Sequence, residues 1–415
     1  MKLSRSDVVP LRAIIAGWAV GVLTSGALVL SRGTVRRALT LVVLTGGLAC
    51  SDEASTPALV ARDSLGIRLI RAASDGERLS LSPLPFSAEL PEFGDILDVA
   101  MTTSGLLVVL DPLGPSVVVL DSTGAEQTRF GRDGEGPGEF RAAGLTGLVL
   151  VGDTIIVPDA FNQRVTFFDL EGRLMREFAM SSGDGFTLDW HSHPDRGLIY
   201  RRMSFPQRLE TVGMLGSDLR VVQDLTHLSL PPEAGPLTPL PAWCVLPDGQ
   251  LVSARTDRYR VTVTDDGTPT AVLSGDVGDR PFGDAELAHL HELVRESLAQ
   301  RMQAEVDLQL VRGMIEQMVL PEEAPRLGGV VCSEAGEVWV QHALPVLELG
   351  PGVIRVGSPE AWRSPVWDVF DVGGSRVRRV LLPEKAHITR VTRDVVVGFT
   401  TDEYDRKIPA RWSHP

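Results

Sequence analysis

Leu107-Val108-Val109-Leu110-Asp111, followed by Val117-Val118-Val119-Leu120-Asp121, Gly124 and Phe130, returns as Ile155-Ile156-Val157-Pro158-Asp159, followed by Val165-Thr166-Phe167-Phe168-Asp169, Gly172 and Phe178. Each landmark recurs 48 residues on. A repeat of that length is the size of a propeller blade. Within it, short β-branched runs between Gly and Asp turns predict four strands. Looser copies follow. One runs from Trp243-Cys244-Val245 through Leu251-Val252 to Tyr259–Thr264, and another from Val330-Val331-Cys332 through Val338-Trp339-Val340 to Trp367–Asp371. Between them and the second copy lies Phe186–Leu225, and His387–Val391 with Val395–Thr400 begins a last unit short of an outer strand. Six units predict an all-β, six-bladed β-propeller. The spare strand Gly66–Ile70 is expected to complete the last blade and close the ring, which would remove exposed edges.

Two insertions enlarge this plan. In Asp284–Met318, apolar residues recur every fourth position from Leu290 to Met318, the spacing of a helix that drifts and is therefore expected to bend, near Gly313. Its plainest use is a cap on one ring face; a partner-binding helix is the sharper alternative. Ala343–Pro365 is rich in Pro and Gly and reads as a long loop.

Composition narrows the function classes. Asp and Glu number 54 against 40 Lys and Arg, a net charge of −14, which argues against a general nucleic-acid binder. With 43% hydrophobic residues the chain can build a core, and 41 Gly with 28 Pro favour many short strands over long helices. Three Cys are too few for a disulfide-built fold.

Before the repeats, Arg36-Arg37, the apolar run Ala38–Ala49 and Cys50 have the layout of an export signal. Leu48-Ala49-Cys50 resembles the end of a bacterial lipoprotein signal, although Gly47 stands where that family favours Leu. The resemblance implies lipidation at Cys50 and an anchor in a membrane of the cell envelope, facing periplasm or exterior. An ordinary signal peptide or an N-terminal anchor is the alternative. Ile14–Leu30 is a second apolar stretch, and a start near Val35 would leave a conventional signal. The expected layout is residues 1–49 as leader, 50–62 as tether and 63–415 as propeller.

Phe130-Gly131-Arg132-Asp133-Gly134-Glu135-Gly136-Pro137-Gly138-Glu139-Phe140 resembles the inter-blade loop of bacterial six-bladed propeller lipoproteins related to the NHL-repeat family. Pro158–Val165 is similar to the NHL pattern of Asp, Asn and Arg-Val before a strand, and Thr401–Asp405 to the end of such chains. The resemblance implies the fold. It implies function weakly, because propellers of this group bind, scaffold or occasionally catalyse.

Candidate sites follow from residue chemistry. The loop Gly131–Gly138 is a poor phosphate cradle, because Pro137 lacks a donor, Asp133 and Glu135 repel anions, and strands follow it. Asp159, Asn162 and Arg164 sit in a strand-joining turn, where they serve the turn itself or touch a ligand on one ring face. His191-Ser192-His193 could share a face if it is a strand, whereas His289 and His291 diverge on a helix; no third ligand is identifiable, so no metal is assigned. Cys244 and Cys332 fall at matching places on neighbouring inner strands. They read as two buried thiols, with a disulfide as the alternative, since inner strands need not approach within the ~7 Å a bridge requires. No nucleophile spacing is present and no cofactor is expected. The leading function is non-catalytic binding of a protein, peptide or glycan on one ring face. The alternatives are a metal-dependent lactonase or hydrolase, which needs carboxylates converging in the channel, and an envelope scaffold acting through the helical insertion.

Overall fold

The computed structural model describes residues 56–57, 59–62, 66–73, 78–180, 185–193, 197–204, 209–215, 221–229, 241–278, 280, 282–302, 308–316, 323–350, 363–373 and 376–415. The leader, Cys50 and 351–362 of the second insertion lie outside them.

The valine-rich runs become strands because β-branched side chains suit an extended backbone. Blade one is Asp98–Met101, Leu107–Asp111, Ser116–Leu120 and Glu126–Phe130, and blade two is Val149–Val151, Thr154–Asp159, Arg164–Phe168 and Leu174–Ala179. Blade three is Gly185–His193, Gly197–Ser204, Leu209–Leu215 and Val221–Ser229. Blade four is Pro241–Val245, Leu251–Arg255, Arg260–Asp265 and Thr268–Ser274; blade five is Leu327–Cys332, Glu337–Ala343, Arg363–Asp371 and Arg376–Leu381. Blade six has three strands, Ala386–Val391, Val395–Thr401 and Lys407–Ser413. All are antiparallel meanders running outward from the channel.

Middle strands are apolar on both faces because each blade is packed between two others. Val108, Leu110, Val117 and Val119 join Ile155, Val157 and Phe168 of blade two. Leu107, Val109, Val118 and Leu120 face the other way, towards Phe399 of blade six. Four further apolar clusters fill the remaining interfaces round the ring. The recurrent Gly172, at φ +78°, shows why the repeat is exact at this point: a Cβ would lie 2.5 Å from the Phe130 ring of blade one.

The expected closing strand is elsewhere. Arg68–Arg71 pairs in parallel with Thr268–Ser274 on the outside of blade four, where Ile70 is fully buried beside Ala271 and Leu273. Leu59–Arg62 pairs with it and Thr56–Pro57 with the outer strand of blade five, so this end of the expected tether belongs to the sheets. Arg78–Ser80 then pairs with blade five, and the next residues reach blade six by a single bridge, Pro83 to Trp412. Leu84 N donates to Arg411 O and Ser413 N to Ser82 O. Pro83 and Pro85 lack N–H groups, which keeps this contact from growing into a full strand. Phe86 finally packs over Gly124 of blade one. The N-terminal segment is thus a strap along the outer edges of blades four, five, six and one.

The first insertion forms two helices, Asp284–Met302 and Leu308–Glu316. Gly313, the expected bend, lies inside the second. Leu290, Leu293, Val294, Val311 and Ile315 form a separate core with Ala343, Val346 and Leu349, the start of the second insertion. The two insertions pack on each other.

Ile70→Ala should lower unfolding free energy by about 3 kcal/mol, the usual cost of emptying a buried Ile site. Leu69→Ala, at an exposed neighbour, should change it by less than about 0.5 kcal/mol. Urea titration of both variants checks the strap.

Candidate functional site: the channel mouth

The inner strands all run in one direction, so their C-terminal ends form one face of the ring. There a cavity of about 270 Å³ is bounded by residues from all six blades, among them Met101, Leu150, His191, Pro247, Glu334 and Arg390. The turns joining second to third strands lie on the opposite face.

The polar groups of the channel are largely engaged. Asp98, in an otherwise apolar inner strand, accepts from Leu148 N at 3.0 Å and from the Arg390 guanidinium at 2.9 Å. Arg390 also donates to Leu148 O at 2.8 Å. Asp189 accepts from Trp243 Nε1 and the Arg201 guanidinium, both at 2.8 Å. Burial pushes its carboxyl up and the Arg201 charge only partly offsets this. Arg201 also meets Glu210, at 3.0 Å, another carboxyl raised by burial. His191 packs against the Trp243 ring at 4.6 Å, and burial, with Arg390 and Arg201 nearby, lowers its pKa to about 3. It is a neutral imidazole at physiological pH. Glu334 is the one carboxylate bounding the cavity among the described residues; burial raises it against the opposing effect of Arg393. Trp190, also on the wall, has a buried Nε1 with no acceptor among the described residues. Among the described residues no group of three or more His, Cys, Asp or Glu is placed to hold a metal.

Asp159, Asn162 and Arg164 come together on the opposite face. Asp159 is fully buried and accepts from Arg141 N at 2.7 Å, Asn162 N at 3.0 Å and Asn162 Nδ2 at 2.9 Å. Asn162 Nδ2 donates to Gly134 O, and Arg164 to the carbonyls of Glu135, Gly136 and Glu139. The three pin the Gly-rich loop, and Arg164 also lies 3.4 Å from Glu177 of the next strand. Asp111, one repeat earlier, does the same work, accepting from Gly94 N, Leu113 N and Gly114 N.

Cys244 and Cys332 are joined in a disulfide, with Cα atoms 5.6 Å apart, in place of the two thiols of the leading reading. The inner strands of blades four and five converge enough towards the channel to permit it. His191 and His193 do share a face: His193 lies against Gly249 of blade four, as His191 lies against Trp243. His289 is bound through Nε2 to Leu349 O. Sequence reasoning missed Asp98, Asp189, Arg201 and Arg390, whose signal was a charge inside an inner strand or its neighbour. It also missed a buried network between blades four and five, where Asp368 is bound by Tyr259, by His342 Nε2 at 2.8 Å and by Arg379 Nε at 2.7 Å.

No protein-family model and no curated protein matches the sequence. Solved structures do match. A protein of Bacteroides fragilis described as exported is 12% identical, over 83% of this chain and 98% of that one, with a TM-score of 0.51. A member of the DUF4221 family from Bacteroides vulgatus is 11% identical over 81% and 96%, with a TM-score of 0.47. Virginiamycin B lyase from Staphylococcus aureus is 8% identical over 81% and 99%, with a TM-score of 0.43. At such identities the likeness shows the fold alone. The six blades and their ring define the class: a six-bladed β-propeller.

A neutral buried His makes folding pH-dependent. The unfolded chain binds a proton near pH 6.5 and the folded chain only near 3, so stability contributed by neutral His191 is lost progressively as pH falls from about 6.5 towards 3. His191→Gln should flatten the fall in melting temperature between about pH 6.5 and 5 relative to wild type. An equal slope in both proteins contradicts this.

Proposed function

We propose that the chain is an exported propeller, held on an envelope membrane by lipid on Cys50 and related to the NHL-like lipoproteins, that binds a peptide, glycan or protein segment without transforming it. The observation that carries the reading is the channel mouth. Among the described residues its wall combines apolar surface with Ser192, a His191 held neutral by burial and a single carboxylate, Glu334. Such a wall suits recognition, with a few polar groups fixing orientation. A cation-dependent hydrolase needs several converging carboxylates. Here Asp98 and Asp189 are already bound to arginines.

The anchor rests on the Leu48-Ala49-Cys50 pattern. Among the described residues no helix is long and apolar enough to cross a membrane. The Bacteroides fragilis protein described as exported agrees with this address.

Calorimetric titration of the full chain with short peptides and oligosaccharides should show saturable binding by at least one, weakened tenfold or more by Ser192→Arg at the mouth. Unchanged affinity in a folded variant would refute the site. Cys50→Ser should abolish palmitate labelling and move the protein out of the membrane fraction; retained labelling would refute the anchor.

A further inference from the structure

The outer half of blade four carries a charge pattern that the channel reading does not use. Its register pairs Ser253 with Thr262 and Ala254 with Val261, and one step further sets Arg255 opposite Arg260. Arg260 pairs with Ser274, and Ser274 with Arg71 of the strap. Cross-strand partners share a face of the sheet. Arg255, Arg260 and Arg71 therefore form a row at one end of the blade, and Arg258 projects from the adjoining turn, its amide donating to Arg255 O at 3.3 Å. All four arginines are exposed.

This concentration runs against a chain whose net charge is −14. Like charges facing each other across strands destabilise a sheet, and the nearby acids relieve only part of it. Asp257 lies 3.1 Å from Arg255, and Asp276 lies 3.8 Å from Arg71. The Arg258 and Arg260 guanidinium groups have no acceptor among the described residues. They border a cleft of about 380 Å³ completed by Ser253, Thr262, Arg255 and Asp257.

We propose that this cleft binds a phosphate group. Of the groups lining the cleft, three arginines against Asp257 leave two positive charges, matching the charge of about −2 on a phosphate monoester at neutral pH. Guanidinium forks bind phosphate oxygens in pairs, and the Ser253 and Thr262 hydroxyls supply further donors. The volume accommodates a small phosphorylated ligand as readily as a lipid headgroup. The site is on blade four, away from the channel, so it stands or falls independently of the channel reading.

The test is calorimetry on the full chain in neutral detergent with three probes: inorganic phosphate, glycerol 3-phosphate and monomeric dihexanoyl phosphatidylglycerol. At least one should bind, with affinity falling tenfold or more in Arg258→Gln/Arg260→Gln at an unchanged melting temperature. Binding of the soluble phosphates assigns a free ligand; binding of the lipid alone assigns a headgroup. If the double variant melts early, single Arg255→Gln, which also lines the cleft, must still weaken binding severalfold. No binding of any probe at millimolar concentration, or equal affinity in the folded variants, overturns the proposal.

Discussion

Arg390 is the side chain through which the last blade holds the first two. Its guanidinium reaches Asp98 of blade one and Leu148 O at the entry to blade two, while Thr389 Oγ1 donates to Val99 O. Lys407, farther out, donates to Ile96 O and lies 3.1 Å from Asp95. With three strands in blade six and a single bridge from the strap, side chains carry much of the closure. Asp98 is buried, so losing its partner would leave an uncompensated charge, the costly case for an ion pair. Blade six is held on its other side by His414, which meets Glu337 of blade five at 2.9 Å. Burial would raise the Glu337 carboxyl, but the His414 hydrogen bond and the Arg378 charge outweigh it and hold it low.

This closure shapes what the channel can do. A propeller that gathers a cation needs carboxylates free to ligate, and here the inner-strand acids are structural. Asp98 belongs to the ring joint, and Asp189 ties blade three to Trp243 of blade four. What reaches the cavity is a surface of mixed polarity.

The ring was legible because a blade interface needs apolar residues on both faces of its middle strands, and Val117-Val118-Val119 states that outright. The strap was not. Gly66–Ile70 has the pattern of an edge strand, and any outer blade edge would accept it; only three-dimensional packing of Ile70 against Leu273 selects blade four. Asp159 was legible as a turn residue, but its full burial and its hold on the Gly-rich loop through Arg141 N were not. The channel pairs were hidden for a different reason. Asp98 and Arg390 are 292 residues apart, and separation of that order leaves no local trace. The bridge between Cys244 and Cys332 depends likewise on how far two blades converge.

The charged groups of the channel are spent on holding the ring together, which leaves none arranged for a cation among the described residues. Thermal unfolding of the full chain with Ca²⁺, Mg²⁺ or Zn²⁺, each against chelator, tests it most directly, since a ligand of the folded state raises the midpoint by mass action. One midpoint is expected in every condition. A rise with one cation that chelator reverses would contradict it.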